Sequence, residues 1–89
     1  MTFTKTQGKY LAFIHAYTQL NGRAPAEADM QQYFRVTPPS VHRMVLVLER
    51  RGLISRQPGV ARSIHLTIPA ADIPPLEAPD PVKTPVSRY

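Results

Sequence analysis

Apolar residues recur at spacings of three and four along the first part of the chain. Gln7, Tyr10, Leu11, Ile14, Tyr17 and Thr18 fall on one side of a 3.6-residue period, which predicts a helix from Thr4 to Asn21. Thr4 with Gln7 three residues later is a capping-box pattern, each side chain satisfying a backbone donor at the helix start. Asn21-Gly22 supplies the stop, and Gly8 is expected to weaken the first turn by about 1 kcal/mol relative to alanine. A second, shorter helix is expected from Ala26 to Phe34. Pro25 introduces it, Glu27 and Asp29 sit at its positive end, and Met30, Tyr33 and Phe34 face inward. Val36-Thr37-Pro38-Pro39 breaks the pattern, and Thr37 caps a third helix whose first positions tolerate proline because their N–H groups are not needed. That helix stops at Gly52. It carries Val41, Met44, Val45 and Leu48 on an inward stripe and leaves Ser40, Arg43, Leu46, Val47 and Arg50 outward.

Beyond Gly52 the period changes to two. Leu53 to Arg56 and Ser63 to Ile68 alternate apolar and polar residues around a turn at Gln57-Pro58-Gly59, which reads as a β-hairpin. Ile64, Leu66 and Ile68 are expected to cover the helices, while the loop from Gln57 to Arg62 projects into solvent with a basic residue on each side. From Pro69 onward six prolines and little periodic apolar character predict an extended or disordered proline-rich tail. The expected division is therefore a domain over 1–68 and a tail over 69–89, with no internal repeat. The fold class is mainly α with a small β-hairpin. Helix, helix, short turn, helix, hairpin is the order of a three-helix winged helix-turn-helix.

With 89 residues the chain encloses one small core and no deep cavity, so function is expected on the outer surface. Cysteine is absent, which removes disulfides and thiolate ligands and fits a reducing cytosol. No apolar run approaches a bilayer span, and Met1 to Lys9 lacks the apolar block of a signal peptide. A soluble, cytoplasmic, nucleoid-associated protein follows, with no membrane partner. The net charge of +5 is concentrated before residue 69, where Lys5, Lys9, Arg23, Arg35, Arg43, Arg50, Arg51, Arg56 and Arg62 are opposed only by Glu27, Asp29 and Glu49. Such a field attracts polyanions. Nucleic acid is the commonest, with RNA, acidic protein and anionic lipid left open. His15, His42 and His65 are scattered over three elements without a carboxylate pattern, and no nucleophile elbow, phosphate-binding glycine loop or spaced carboxylate pair is present. No metal, no cofactor and no enzymatic activity are expected.

Phe3 to Leu66, about three quarters of the chain, resembles the DNA-binding domain of the LexA repressor family. The resemblance is carried by Thr4-x-x-Gln7-x-x-x-Leu11-x-x-Ile14, by Asn21-Gly22-x-x-Pro25, by Arg50-Arg51-Gly52-Leu53-Ile54 and by Arg62-Ser63-Ile64. It implies a base-reading segment from Thr37 to Val47, with contact roles for Thr37, Ser40, His42 and Arg43. The family's usual asparagine and glutamates are replaced there, which implies a different recognised sequence, since arginine favours guanine and carboxylates favour cytosine. Arg35 stands where the family usually has glycine, Ala26 where it usually has a hydroxyl cap, and the segment Thr37-Pro38-Pro39-Ser40 is one residue shorter. The family's self-cleaving serine-lysine domain, which supplies most of its dimerisation, has no counterpart in these residues. Autoproteolysis is therefore not expected, and dimerisation needs another route.

The expected interface with double-stranded DNA then comprises Thr37, Ser40, His42, Arg43 and Val47 on the third helix, with Leu46 and Val47 placed to meet thymine methyl groups. On the wing, Arg56, Gln57, Arg62 and Ser63 are assigned to the backbone or minor groove, and Lys5, Lys9 and Arg23 to phosphates. Arg50 and Arg51 are explained as well by the helix dipole as by DNA. Phe13 and Leu20 extend the apolar arc of the first helix and are the candidate homodimer contact. The expected function is a sequence-specific transcriptional regulator, a repressor acting by occlusion. The alternative is a winged-helix protein-interaction adaptor that docks a partner through the proline-rich tail.

Overall fold

Thr4 starts the first helix as its spacing to Gln7 predicts. In the computed structural model, which describes residues 2–77, the Gln7 backbone N–H donates to Thr4 Oγ1 at 3.1 Å and the Thr4 N–H donates to Gln7 Oε1 at 3.0 Å. Helix α1 spans Lys5–Asn21 and closes on Gly22 at φ +71°, a left-handed conformation that glycine enters without steric cost. Helix α2 spans Glu27–Phe34, and Asp29 Oδ2 accepts from the Ala26 N–H at 2.8 Å. The carboxylate supplies half of a cap that alanine cannot complete. Helix α3 spans Pro38–Arg50, with the Ser40 N–H donating to Thr37 Oγ1 at 3.3 Å and two prolines filling the first turn.

Arg35 ends α2 in the left-handed region, at φ +56°. A side chain with a Cβ is strained there, and Arg35 is exposed with no compensating burial. Arg35→Gly is therefore expected to stabilise the fold by about 0.5–1 kcal/mol, raising Tm by a few degrees. An unchanged or lower melting temperature would show that the turn is relaxed around arginine.

Strands β1, Ile54–Ser55, and β2, His65–Leu66, pair antiparallel in the register Ile54 with Leu66 and Ser55 with His65. The hairpin is shorter than its alternation predicts. Arg62, just ahead of the expected second strand, takes a left-handed backbone, φ +56°. Ser63 then folds over the turn, its Oγ accepting from the Gln57 N–H at 2.9 Å and lying 2.9 Å from the Val60 carbonyl.

The core forms where the three helices meet this hairpin. Leu11 and Ile14 of α1, Met30 of α2, Val41, Val45 and Leu48 of α3, and Leu53, Ile54, Ile64 and Ile68 beyond are all buried in one cluster. Beside it lies an aromatic group, with the Tyr10 and Phe34 rings stacked at 4.3 Å and Phe13 4.6 Å from Tyr33. Burial pushes the Tyr10 phenol above its ordinary value. Phe13, expected on an exposed edge as a dimer contact, is only 7% exposed. Tyr33 and Phe34, at the end of α2, cover that edge. Leu20 does stand free at 84% exposure.

Residues 69–77 also depart from the tail expected of them. Pro69 leads into a 3-10 turn, Ala70–Asp72, after which Ile73 packs against the core. The Tyr33 hydroxyl donates to the Glu77 carbonyl at 2.8 Å. A Cβ at Gly8 would meet the Phe3 ring at 3.1 Å and Pro74 at 3.3 Å, so the missing side chain makes room for this strap. The strap was hidden in the sequence because a single isoleucine among prolines has no period. The remainder of the expected tail, 78–89, lies outside the described residues.

Candidate nucleic-acid interface

Helices α2 and α3 form a helix-turn-helix across the Arg35–Thr37 turn, and α3 has a strongly two-sided character. Val41, Val45 and Leu48 are fully buried. On the opposite side Ser40, His42, Arg43 and Arg50 are exposed, and Leu46 and Val47 are half-buried. Arg43, Leu46, Val47 and Arg50 follow at spacings of three and four, so they share one outward face. Among the described residues Arg43 makes no hydrogen bond or ion pair, which leaves its five donors available to a ligand. Thr37 and Ser40, also assigned to this interface, are exposed but bonded to each other, with their hydroxyl oxygens 2.9 Å apart. Both serve the helix start first.

His42 is exposed and paired: its Nδ1 lies 3.1 Å from one oxygen of Glu27 and 3.2 Å from the other. This contact joins the start of α2 to α3. It faces an open groove of about 330 Å³ lined also by Arg56, Gly59, Val60, Ala61, Arg62 and Ser63. The groove lies between the Glu27–His42 pair and the hairpin loop.

The expected wing residues divide. Gln57 is exposed at the turn, and Ser63 is half-buried as the bracket of the loop. Arg56 donates from Nε to Glu49 at 3.1 Å and has a side chain only 16% exposed, so much of its donor capacity is turned toward α3. Arg62, expected to project toward phosphate, is turned inward instead. Its Nη1 lies 3.2 Å from the Tyr17 hydroxyl, 3.2 Å from the Ala24 carbonyl and 3.1 Å from Asp29 Oδ2. The guanidinium also sits over the Tyr17 ring, 5.9 Å from its centre. The Tyr17 hydroxyl is the main influence holding the Arg62 pKa above its ordinary value, with Asp29 assisting and desolvation opposing. A cation whose folded pKa is raised contributes stability fully below its unfolded pKa, and for arginine that covers the whole working range of pH. Charged throughout that range, Arg62 links the wing to Tyr17, Ala24 and Asp29.

The three expected phosphate contacts are dispersed. Lys5 and Lys9 line a groove with Phe3, Pro74, Pro75 and Glu77, on the side held by the strap. Arg23 lines another, with His15, Ile64, His65 and Leu66. Neither groove includes a residue of α3. Glu27 with His42, Glu49 with Arg56 and Asp29 with Arg62 are tertiary pairs that sequence spacing does not reveal. Glu27 and Asp29 read equally well as acids at a helix start. Among the described residues no helix is long and apolar enough to cross a membrane.

The family model described as LexA DNA binding domain matches residues 1–63. The chain is 43% identical over 63 residues to a LexA repressor of Thermosipho melanesiensis, covering 71% of this chain and 32% of that protein. A LexA repressor of Thermosipho africanus matches to the same extent, 43% over 63 residues, or 71% of this chain and 32% of the relative. A LexA repressor of Petrotoga mobilis is 34% identical over 80 residues, covering 89% of this chain and 38% of the relative. The chain thus spans about a third of the length of these curated relatives.

Proposed function

Because the chain belongs to the LexA DNA-binding domain family, we propose that it is a sequence-specific double-stranded DNA-binding regulator, a repressor that acts by occluding its site. Helix α3 enters the major groove, and the wing from Arg56 to Ser63 lies along the backbone or minor groove. The observation that carries this reading is α3 itself, whose inner face is fully buried while its outer face offers Arg43, unpaired among the described residues, beside Leu46 and Val47. An arginine with free donors reads guanine O6 and N7, and the neighbouring apolar groups suit thymine methyls. One module of this size buries about 600–1,000 Å², so two copies on half-sites about one helical turn apart are needed for useful specificity. Leu20 is the residue of the proposed dimer contact that remains exposed.

Selection of tight binders from a random duplex pool at near-physiological salt tests the proposal. Enrichment of a motif supports it. Binding that is absent, or insensitive to salt, would sink it and favour the adaptor, because displacing phosphate counterions lowers affinity by about 0.9 log units per contact for each tenfold rise in salt. The same assay separates two roles for Arg62. As a clamp, Arg62→Ala is expected to lower Tm and weaken DNA binding with little change in the salt slope. Loss of about 0.9 from the slope at unchanged Tm would instead make it a phosphate contact.

A further inference from the structure

Glu27 opens α2, and His42 lies just past the first turn of α3. The acidic side chain alone is accounted for by the positive end of its helix. That does not explain why both of its oxygens converge on one ring nitrogen of another helix, at 3.1 and 3.2 Å. An ionised carboxylate only accepts hydrogen bonds, so the proton of this pair sits on His42 Nδ1. A neutral ring then has its lone pair on Nε2, on the far edge from Glu27. The His42 side chain is 53% exposed and lines the groove between α3 and the wing.

We propose that Glu27 is a positioning residue: it fixes the tautomer of His42 so that Nε2 is offered to the DNA as a hydrogen-bond acceptor. An acceptor at this place selects a base bearing an exocyclic amino group in the major groove, adenine through N6 or cytosine through N4. It works against guanine, whose major-groove edge presents only acceptors. Next to Arg43, which favours guanine, the pair gives α3 two adjacent readers of opposite hydrogen-bond sense. The inference rests on α3 being the base-reading helix. It adds the class of base recognised at one position and the residue that sets it.

Two measurements test it. In the free protein, nitrogen-resolved NMR of the neutral His42 ring is expected to show the proton on Nδ1, and Glu27→Ala to return it to Nε2, the form an unconstrained imidazole prefers. On DNA, Glu27→Ala is expected to reduce discrimination at one base pair by about fivefold, the worth of one modest hydrogen bond, while other positions keep their preferences. Glu27→Gln retains discrimination, because its amide oxygen accepts the same bond. A wild-type ring protonated on Nε2 would overturn the proposal, as would a Glu27→Ala profile identical to wild type or a Glu27→Gln profile identical to that of Glu27→Ala. A uniform change in affinity with no change in base preference means that Glu27 acts only through its charge or the fold, and also overturns it. If the wild type enriches no motif, the regulator reading itself fails. Enrichment with an unaltered Glu27→Ala profile sinks this inference alone.

Discussion

Leu48→Ala is expected to destabilise the domain by about 2–5 kcal/mol, the range for removing a large apolar side chain from a packed core. Leu48 is fully buried, on the same α3 stripe as Val41 and Val45 and in one cluster with Leu11, Ile14 and Met30. Its loss leaves a cavity that the facing elements of so small a domain cannot close without shifting. A domain of this length has a total stability of only about 4–11 kcal/mol, so one substitution removes a large share of it. Urea unfolding followed by circular dichroism checks the result, with Leu46→Ala as the control. Leu46 is on the same helix but half-buried on the outer face, so its truncation is expected to cost under about 1 kcal/mol. Equal midpoints for the two variants would mean that α3 is not seated as described.

The same contrast shows what was legible in advance. Each boundary of α3 is set by a neighbour in sequence, Thr37 at its start and Gly52 after its end, and its buried stripe follows from spacing alone. The capping box at Thr4 and the stop at Gly22 are equally local. What escaped depends on residues far apart in the chain. Arg62 meets partners 33 to 45 residues earlier, and nothing in its own surroundings distinguishes a clamp from a wing cation. Phe13 seemed surplus to the core because the pattern of α1 does not reveal that Tyr33 and Phe34 arrive from α2 to cover it. Among the described residues, Arg62 is held by Tyr17, Ala24 and Asp29, Arg56 is partly committed to Glu49, and Arg43 makes no hydrogen bond or ion pair.

Arg43→Ala is expected to have the largest effect on recognition, relaxing the preference at one base pair by about 1–3 kcal/mol, or roughly 5- to 150-fold. Since no internal hydrogen bond or ion pair among the described residues holds its guanidinium, no tertiary contact of that kind is lost on truncation, and thermal stability should be unchanged. The loss then falls on the DNA contact alone, unlike that of Arg62, whose removal strains the wing as well. Arg43→Lys separates the two contacts an arginine can make here. A phosphate contact needs only positive charge, so lysine should restore both affinity and salt slope without altering the motif. A base contact needs the planar pair of donors that matches guanine O6 and N7, so lysine should keep the salt slope but lose much of the guanine preference. Full restoration of affinity and motif by lysine would make Arg43 an anchor to the backbone. Base reading would then pass to His42 and to the apolar pair Leu46 and Val47, and the preferred site would be poorer in guanine and richer in thymine and amino-bearing bases.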